Sequence, residues 1–374
     1  MNTMALEQKL GLPSFGDFPV DIQLTIQSNG NGGYMGTLAA GMGKFHRFPL
    51  QLTPYDVESS NTQLQQAIEQ VAYNLTTTES SGRALAQLAE TGNYVFKLIF
   101  HEGPTRDLIR SALKMSRIIQ ISSDSFAIPW ELLYDGSFTD IDIRLFWGMN
   151  HIVARAIIQD LSTDDLVSPI IQSSRPAVGL VAYDQLEYVA QHEIPALQSL
   201  HRSKRIKLSH LAALDINRRE QSFENFGRFL RQRRHLIHFA CHAHELEPVD
   251  QSCLRVSDEF PISIKDFNVR EFVIKGNPFI ILNACLTSVI DPHSTANWPA
   301  AFLKRGVRGV LATELHIPDL FAAEFVKELY THVLASETIG DALQATRQHF
   351  WHQQHNPLGL AYALYASPSF RIVN

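Results

Sequence analysis

Cysteine is scarce in this sequence. Among 374 residues only Cys241, Cys253 and Cys285 occur. An odd, sparse set cannot close a disulfide framework; it fits a reducing compartment in which thiols stay free. Long apolar runs are missing too. No stretch reaches the ~18 consecutive apolar residues that a membrane span needs, and residues 1–18 show no basic segment leading into an apolar one, so no secretory leader is expected. Charged residues make up 19% of the chain, below the ~25% of an average soluble protein, which argues against a disordered or supercharged class. Basic residues are outnumbered, 32 Lys and Arg against 38 Asp and Glu. A chain that grips phosphate backbones needs a concentrated basic face, so nucleic acid is not an expected partner. The one basic run, Arg231-Gln-Arg-Arg234, reads as the solvated end of an amphipathic helix. The expectation is a cytoplasmic protein that binds neither nucleic acid nor membrane.

At ~100–200 residues per domain, this length suggests two domains or one large one. The first half reads as mixed α+β. Residues 21–27 alternate apolar and polar side chains, the period of a half-buried strand, and run into Asn29-Gly-Asn-Gly-Gly33, a turn from which 34–38 returns as a hairpin. The glycines nearby do not make a phosphate loop: Gly41 is followed by Met42 and Lys44 by Phe45, which breaks G-x-x-x-x-G-K-[ST]. Helices are predicted over 62–76, over 81–91 (stopped by Gly92 and Asn93) and over 106–116. Strands are predicted at 118–122 and 151–159, with a buried extended segment over 128–134.

Ser, Thr, Asp and Pro crowd residues 160–176, the best linker, so the domains are set at 1–165 and 166–374. Beyond the linker, strands at 177–183, 205–211, 235–240, 279–282, 309–313 and 370–373 alternate with helices at 186–200, 218–232, 320–335 and 338–352. A hairpin-like insertion covers 253–264. Such alternation means βαβ crossovers, hence a mostly parallel sheet flanked by helices.

In an open parallel sheet, ligands bind beyond the carboxyl ends of the strands. The strand at 235–240 runs into Cys241-His-Ala-His244, and the strand at 279–282 into Asn283-Ala-Cys-Leu-Thr-Ser288. A right-handed crossover makes these strands neighbours with loops at one edge. His242 and Cys285 then face one crevice. A thiol that attacks a carbonyl carbon and an imidazole that manages the proton are the minimum kit for acyl transfer. Cys241 points back into the core by alternation, and His238, inside its strand, reads as a core histidine. The set Cys241, His242, His244 and Cys253, spaced C-H-x-H with eight residues before Cys253, lacks the paired spacing of structural zinc sites, so no metal is expected.

Phe239-Ala-Cys-His-Ala243 and Leu282-Asn-Ala-Cys-Leu-Thr-Ser288 resemble the two catalytic motifs of the CHAT domain, a branch of the caspase/separase-like cysteine peptidases. Ile128-Pro-Trp-Glu-Leu-Leu-Tyr-Asp135, Arg305-Gly-Val-Arg-Gly-Val-Leu-Ala-Thr-Glu314 and Asn356-Pro-Leu-Gly-Leu360 agree, in the family's order. The resemblance implies a caspase-like catalytic half behind a degenerate, non-catalytic companion half. It implies Cys285 as nucleophile and His242 as partner imidazole, with the backbone N–H groups of Cys285 and Ala243 as oxyanion hole. Losing one such donor typically costs ~10²–10³ in rate. The family has Gly after the catalytic His and a few residues after the Cys, where this chain has Ala243 and Ser288. An alanine held at left-handed φ would cost ~1–2 kcal/mol.

The resemblance places the segment Glu314-Leu-His-Ile-Pro-Asp319 beside the nucleophile. Glu314, His316 and Asp319, with Asp258 and Asp291 from loops, are the candidate substrate-binding residues; acidic groups there would favour a basic side chain. The alternative is structural, with Asp319 capping the following helix. The function implied is a cysteine endopeptidase acting on a specific protein partner in a bacterial defence or programmed-death module. A gasdermin-like pore former is the substrate type suggested, an activating sensor or partner is expected, and no cofactor is implied. Ordering of loops near 245–252 and 289–298 would be the route of activation. A catalytically silent CHAT scaffold that binds partners, and another thiol-dependent acyl transfer, remain the alternatives.

Overall fold

The fold was obtained as a computed structural model, which describes residues 20–40, 45–74, 78–115, 117–123, 126–157, 168–183, 185–244, 249–257, 260–284 and 297–373. Strand β1 (Ile22–Ser28) buries Ile22, Leu24 and Ile26 through its period of two. It turns where the Asn29 side-chain oxygen accepts from the N–H groups of Asn31 and Gly33, with Gly30 and Gly32 at φ 75° and 78°. These positive values are what the two glycines permit. β2 (Tyr34–Ala40) and β3 (Phe45–Leu50) complete an antiparallel meander.

Helices α1 (Pro54–Asn74), α2 (Thr78–Ile99) and α3 (Pro104–Met115) follow, then β4 (Ile118–Ser123). A 3₁₀ turn at Trp130–Leu132 and the short α4 (Trp147–Asn150) precede β5 (Ile152–Ile157). The second half runs through β6 (Ile170–Gln172), β7 (Ala177–Ala182), a π-helical turn at Val189–Glu193, α5 (Ile194–Arg202), β8 (Lys207–His210), α6 (Arg219–Leu230) and β9 (Leu236–Ala240). A separate three-stranded sheet of β10 (His242–His244), β11 (Cys253–Val256) and β12 (Phe260–Ser263) leads to α7 (Ile264–Val269) and β13 (Phe279–Asn283). The chain ends with α8 (Trp298–Leu303), β14 (Gly309–Thr313), α9 (Asp319–Val333), α10 (Ile339–Gln354), β15 (Tyr362–Ala366) and β16 (Arg371–Val373).

One sheet of eleven strands, in the order β3-β2-β1-β4-β5-β15-β14-β13-β9-β7-β8, spans both halves. It is parallel except in the meander and between β14 and β15. The expected mostly parallel sheet flanked by helices, preceded by a mixed α+β region, is therefore what forms. The central strands β9, β13 and β14 are buried at every residue, as expected for strands covered on both faces. The proposed boundary at 165/166 lies outside the described residues; downstream of it, β6 pairs in parallel with β16, so part of the expected linker is strand.

Four local expectations need correction. α1 begins at Pro54 rather than near residue 62, capped from outside by Thr53, whose N–H and hydroxyl both donate to Asp56. α2 runs through Gly92 and Asn93, because they serve packing: a Cβ on Gly92 would collide with the Leu132 carbonyl oxygen, and Asn93 donates to the Tyr134 carbonyl at 3.1 Å. β15 was not anticipated. Its run Tyr-Ala-Leu-Tyr-Ala is almost wholly buried, so it carries no alternation to betray a strand. Arg234 is not solvated: it is 3% exposed, stacks over Phe229 at 3.7 Å and donates to the Phe229 carbonyl, and burial pushes its pKa down to about 10.

Candidate active site

β9 and β13 pair in parallel from Leu236↔Phe279 to Ala240↔Asn283. His242 lies two residues beyond Ala240, and Cys285 lies two residues beyond Asn283. Cys285 itself is outside the described residues, but it is bonded to Ala284, which is described and buried. Adjacent strands in a sheet lie ~4.8 Å apart, so the two chain segments leave one edge in matched register.

His242 opens β10 and is half-buried, its ring 6.0 Å from that of Tyr183 and 6.2 Å from that of His244. The bend is held from three sides. The Tyr183 N–H donates to the Ala240 carbonyl at 2.8 Å, and the Ser257 N–H to the Ala182 carbonyl at 3.2 Å. β10 pairs with β11, His242 opposite Arg255 and Ala243 opposite Leu254. Ala243 is therefore extended, and it is absent from the residues with positive φ. The alanine carries no left-handed strain. Ser288 lies outside the described residues.

Beneath the edge sits a buried polar network. Glu193 Oε1 meets His238 Nε2 at 2.5 Å and accepts from Asn283 Nδ2 at 2.7 Å. The Tyr362 hydroxyl donates to Asn283 Oδ1 at 2.6 Å, and Tyr330 reaches His238 Nδ1 at 3.5 Å. Burial, and then the nearby Glu193, raise the pKa of the Tyr330 hydroxyl, which stays neutral. The Thr313 hydroxyl donates to the carbonyl of Ala284. Both strand ends are thus tied down within a few residues of the edge, His238 as the buried histidine expected of it. Glu193 and Asn283 were not singled out from sequence; Asn283, a polar residue closing the apolar run of β13, was the available signal.

The remaining candidates separate. Glu314 directly follows β14 and is 8% exposed, its carboxylate bound by Arg155 at 2.7 Å and by the Tyr365 hydroxyl at 2.8 Å. Arg155 is shared with Glu131 at 2.6 Å. Burial pushes Glu314 up to about 8. Burial would lower Arg155, but Glu131 and Glu314 outweigh it and hold the guanidinium above its ordinary value. His316 is exposed, and Asp319 is half-buried in the first turn of α9, whose N-cap is Pro318 with no side-chain cap bond. Asp319 does not cap that helix. Asp258 and Asp291 lie outside the described residues, as do 245–248 and 289–296 of the expected activation loops.

Cys241 and Cys253 are buried and not joined in a disulfide, and burial pushes the Cys253 thiol up. Among the described residues no group of three or more His, Cys, Asp or Glu could hold a metal ion.

The CHAT domain profile matches residues 118–370, more than half of the chain. The chain belongs to the CHAT family. Among solved structures, this CHAT protein is similar to the separase of Saccharomyces cerevisiae in its complex with securin, at TM-score 0.52 and 11% identity, covering 94% of this chain and 30% of that one. A second structure of the same complex gives TM-score 0.52 over 95% of this chain and 30% of separase, again at 11% identity. The Drosophila initiator caspase Dronc aligns at TM-score 0.33 and 9% identity, over 54% of this chain and 81% of its own. The CHAT chain thus spans about a third of the separase chain it matches. A comparison with curated protein sequences finds no match. No helix among the described residues is long and apolar enough to cross a membrane.

Proposed function

We propose that this CHAT protein is a cysteine endopeptidase in which Cys285 is the nucleophile and His242 the partner imidazole. The observation that carries the reading is the Ala240↔Asn283 register, which starts both segments from one level of the sheet edge. The Cys285 thiol gives its proton to His242 as the sulfur attacks the scissile carbonyl carbon, forming a C–S bond and a tetrahedral oxyanion that accepts from the N–H groups of Cys285 and Ala243. His242 gives its proton to the leaving amine as the C–N bond breaks, leaving a thioester. Water then attacks the thioester, passing a proton through His242 to sulfur and releasing the carboxylate product. No cofactor enters this scheme.

The substrate is a protein segment, a gasdermin-like pore former being the candidate, within a bacterial defence or death module in the cytoplasm. A partner or sensor protein switches the enzyme on. Asp258, His316 and Asp319 are the proposed residues for the side chain preceding the cleaved bond. Glu314, buried and held by Arg155 and the Tyr365 hydroxyl, contributes from below. Of the two residues that motivate a silent scaffold, Ala243 is extended and Ser288 lies outside the described residues.

The test is proteomic mapping of new N-termini made by wild type against a Cys285→Ala control, alongside labelling with a peptidyl electrophile. Cleavage and labelling confined to the wild type are expected. Equal cleavage by Cys285→Ala, or no cleavage and no labelling by either, rejects the dyad and leaves the scaffold reading.

A further inference from the structure

Five neighbouring strands, β14, β13, β9, β7 and β8, run in parallel and so begin at one edge of the sheet, opposite the edge that carries His242. Each brings a cation to that edge: Arg308 before β14, Lys275 before β13, Arg233 before β9, Arg175 before β7, and Lys207 as the first residue of β8. Backbone bonds tie the approaches together. The Lys207 N–H donates to the Pro176 carbonyl and the His235 N–H to that of Ala177, both at 2.9 Å. The Phe279 N–H donates to the His235 carbonyl at 2.9 Å, and the Arg308 N–H to that of Pro278 at 3.0 Å. Residues 173–177, 201–207, 231–236, 274–279 and 303–309 hold twelve of the 32 Lys and Arg and no Asp or Glu. The chain-wide charge of −6 hides this face, because parallel pairing gathers segments that lie far apart in sequence.

These charges are not answered within the described chain. Lys207, Arg233 and Lys275 are exposed. Arg175 and Arg308 are half-buried, each anchored through Nε on a backbone carbonyl, that of Ile206 at 3.0 Å and that of Asn277 at 3.1 Å. Among the described residues none of the five pairs with a carboxylate. The nearest carboxylate along the chain is Glu271, exposed and four residues before Lys275. Burial first, then the charges of Arg308 and Lys207, hold the His235 imidazole below its ordinary value, which a neutralised edge would not do. Helix ends attract cations, and Arg202, Arg231 and Lys304 close α5, α6 and α8. The five in the row lie outside the helices.

The shape of the row selects its partner. Strands ~4.8 Å apart set five cations along ~19 Å, a line rather than an area. One strand of a duplex presents a phosphate every ~3.4 Å along the axis, so the row spans about five of them. The exposed aromatic rings among the described residues, Phe45, Tyr55, Tyr73, Tyr94 and Phe138, all belong to the first half of the chain. The described part of the edge thus offers no platform for stacking single-stranded bases, and no aromatic anchor of the kind that holds a protein partner. Protein interfaces are poor in lysine, whereas interfaces with phosphate backbones are strongly positive.

We propose that this edge binds the phosphate backbone of a double-stranded nucleic acid without reading its sequence. Lys207, Arg233 and Lys275 supply flexible charge, and Arg175 and Arg308 anchored guanidinium groups. β9 and β13 are each five residues long, which sets the duplex ~17 Å from the edge that carries His242. The site does not depend on the peptidase reading, since neither His242 nor Cys285 takes part.

Fluorescence anisotropy of a short labelled duplex titrated with the whole protein tests it, with DNA in one arm and RNA in the other. Binding of one duplex alone assigns that nucleic acid, and binding of both assigns the shared backbone. Between about 50 and 200 mM salt the logarithm of the binding constant should fall against that of salt with a slope of about −4 to −5, as for five phosphates. The exposed double variant Arg233→Ala/Lys275→Ala should lower that slope by about 2 and weaken binding about tenfold or more. Lys97→Ala/Lys114→Ala removes the same charge from the first half and should change neither. Failure of both duplexes to bind overturns the proposal, as does an equal loss in the two double variants. Polyglutamate that competes as well as unlabelled duplex would assign the edge to an acidic protein instead. Phosphatidylserine vesicles that compete better than duplex would assign it to a membrane surface.

Discussion

Asn283 is the residue on which the candidate edge turns. It closes β13, and its amide uses both ends: the nitrogen donates to Glu193, and the oxygen accepts from Tyr362. A buried carboxylate is stable only when its acceptor sites are filled, and a buried hydroxyl only when its proton is placed. Asn283→Ala removes one donor from Glu193 and the acceptor from Tyr362 together. The expected loss is about 2–4 kcal/mol, since each orphaned buried group costs about 1–3 kcal/mol. Urea unfolding of the variant measures it; a loss below about 1 kcal/mol would mean that the network relaxes around the gap. At this scale the sequence was half legible. Cys-His-Ala and Asn-Ala-Cys mark the edge because both follow apolar strand runs. Glu193 gives no such sign: it sits in a π-helical turn, a geometry that no local pattern announces, and its partners are 45 and 90 positions away.

Glycine in α2 shows how an element can contradict its own punctuation. Gly82 and Gly92 belong to the same helix, and intrinsic propensity says that either would gain ~0.5–1 kcal/mol on replacement by alanine. Their surroundings differ. Nothing lies within 4 Å of a Cβ built on Gly82, whereas one on Gly92 meets the backbone of Leu132 and Tyr134. Gly82→Ala should therefore raise stability by roughly 0.5–1 kcal/mol, while Gly92→Ala should lower it by about 1–3 kcal/mol, as overpacking does. Thermal melts of the two variants decide; shifts of the same sign would show that propensity, not the approach of the 128–135 segment, governs Gly92. The same approach explains why Gly92-Asn93 misleads when read as a helix stop. A long-range packing need and a local stop signal use the same residue types. The β-meander and the βαβ alternation suffer no such conflict, because their turn glycines have positive φ and their apolar periods match the faces they bury. That is why hairpin, crossovers and sheet class could all be read in advance, and β15, buried without alternation, could not.

Across the whole molecule, the two halves are joined by a buried cluster of charges as well as by the sheet. The segment Ile128-Pro-Trp-Glu-Leu-Leu-Tyr-Asp135 has no place in the proposed chemistry, yet it supplies Glu131, which takes Arg155 through two hydrogen bonds of 3.1 and 2.6 Å. Arg155 reaches across to Glu314. Arg347, from α10, donates to the Gly148 carbonyl of the first half and to the Gly359 and Tyr362 carbonyls of the second. Burial pushes Arg347 down to about 10. Four residues along, Asp135 ends the same segment in a two-pronged bond from Arg110.

In this cluster Glu131 holds the two-pronged share of Arg155, so burial dominates at Glu314 and raises it to about 8 from its ordinary 4.5. The sign follows from where the proton sits. Between about pH 4.5 and 8 the folded chain keeps a proton on Glu314 that the unfolded chain has lost. The stabilisation is complete below about 4.5, declines as pH rises by up to ~1.4 kcal/mol per unit, and is gone above about 8. Glu314→Gln mimics the protonated acid at every pH. Its unfolding free energy should therefore fall less steeply than that of wild type from pH 5 to 8, the two curves diverging most at the alkaline end, where only the wild type must carry a second buried carboxylate. Urea unfolding at intervals of one pH unit provides the comparison. Parallel curves would mean that Glu314 is ionised throughout, fully answered by Arg155, and that the halves are joined by a plain ion pair.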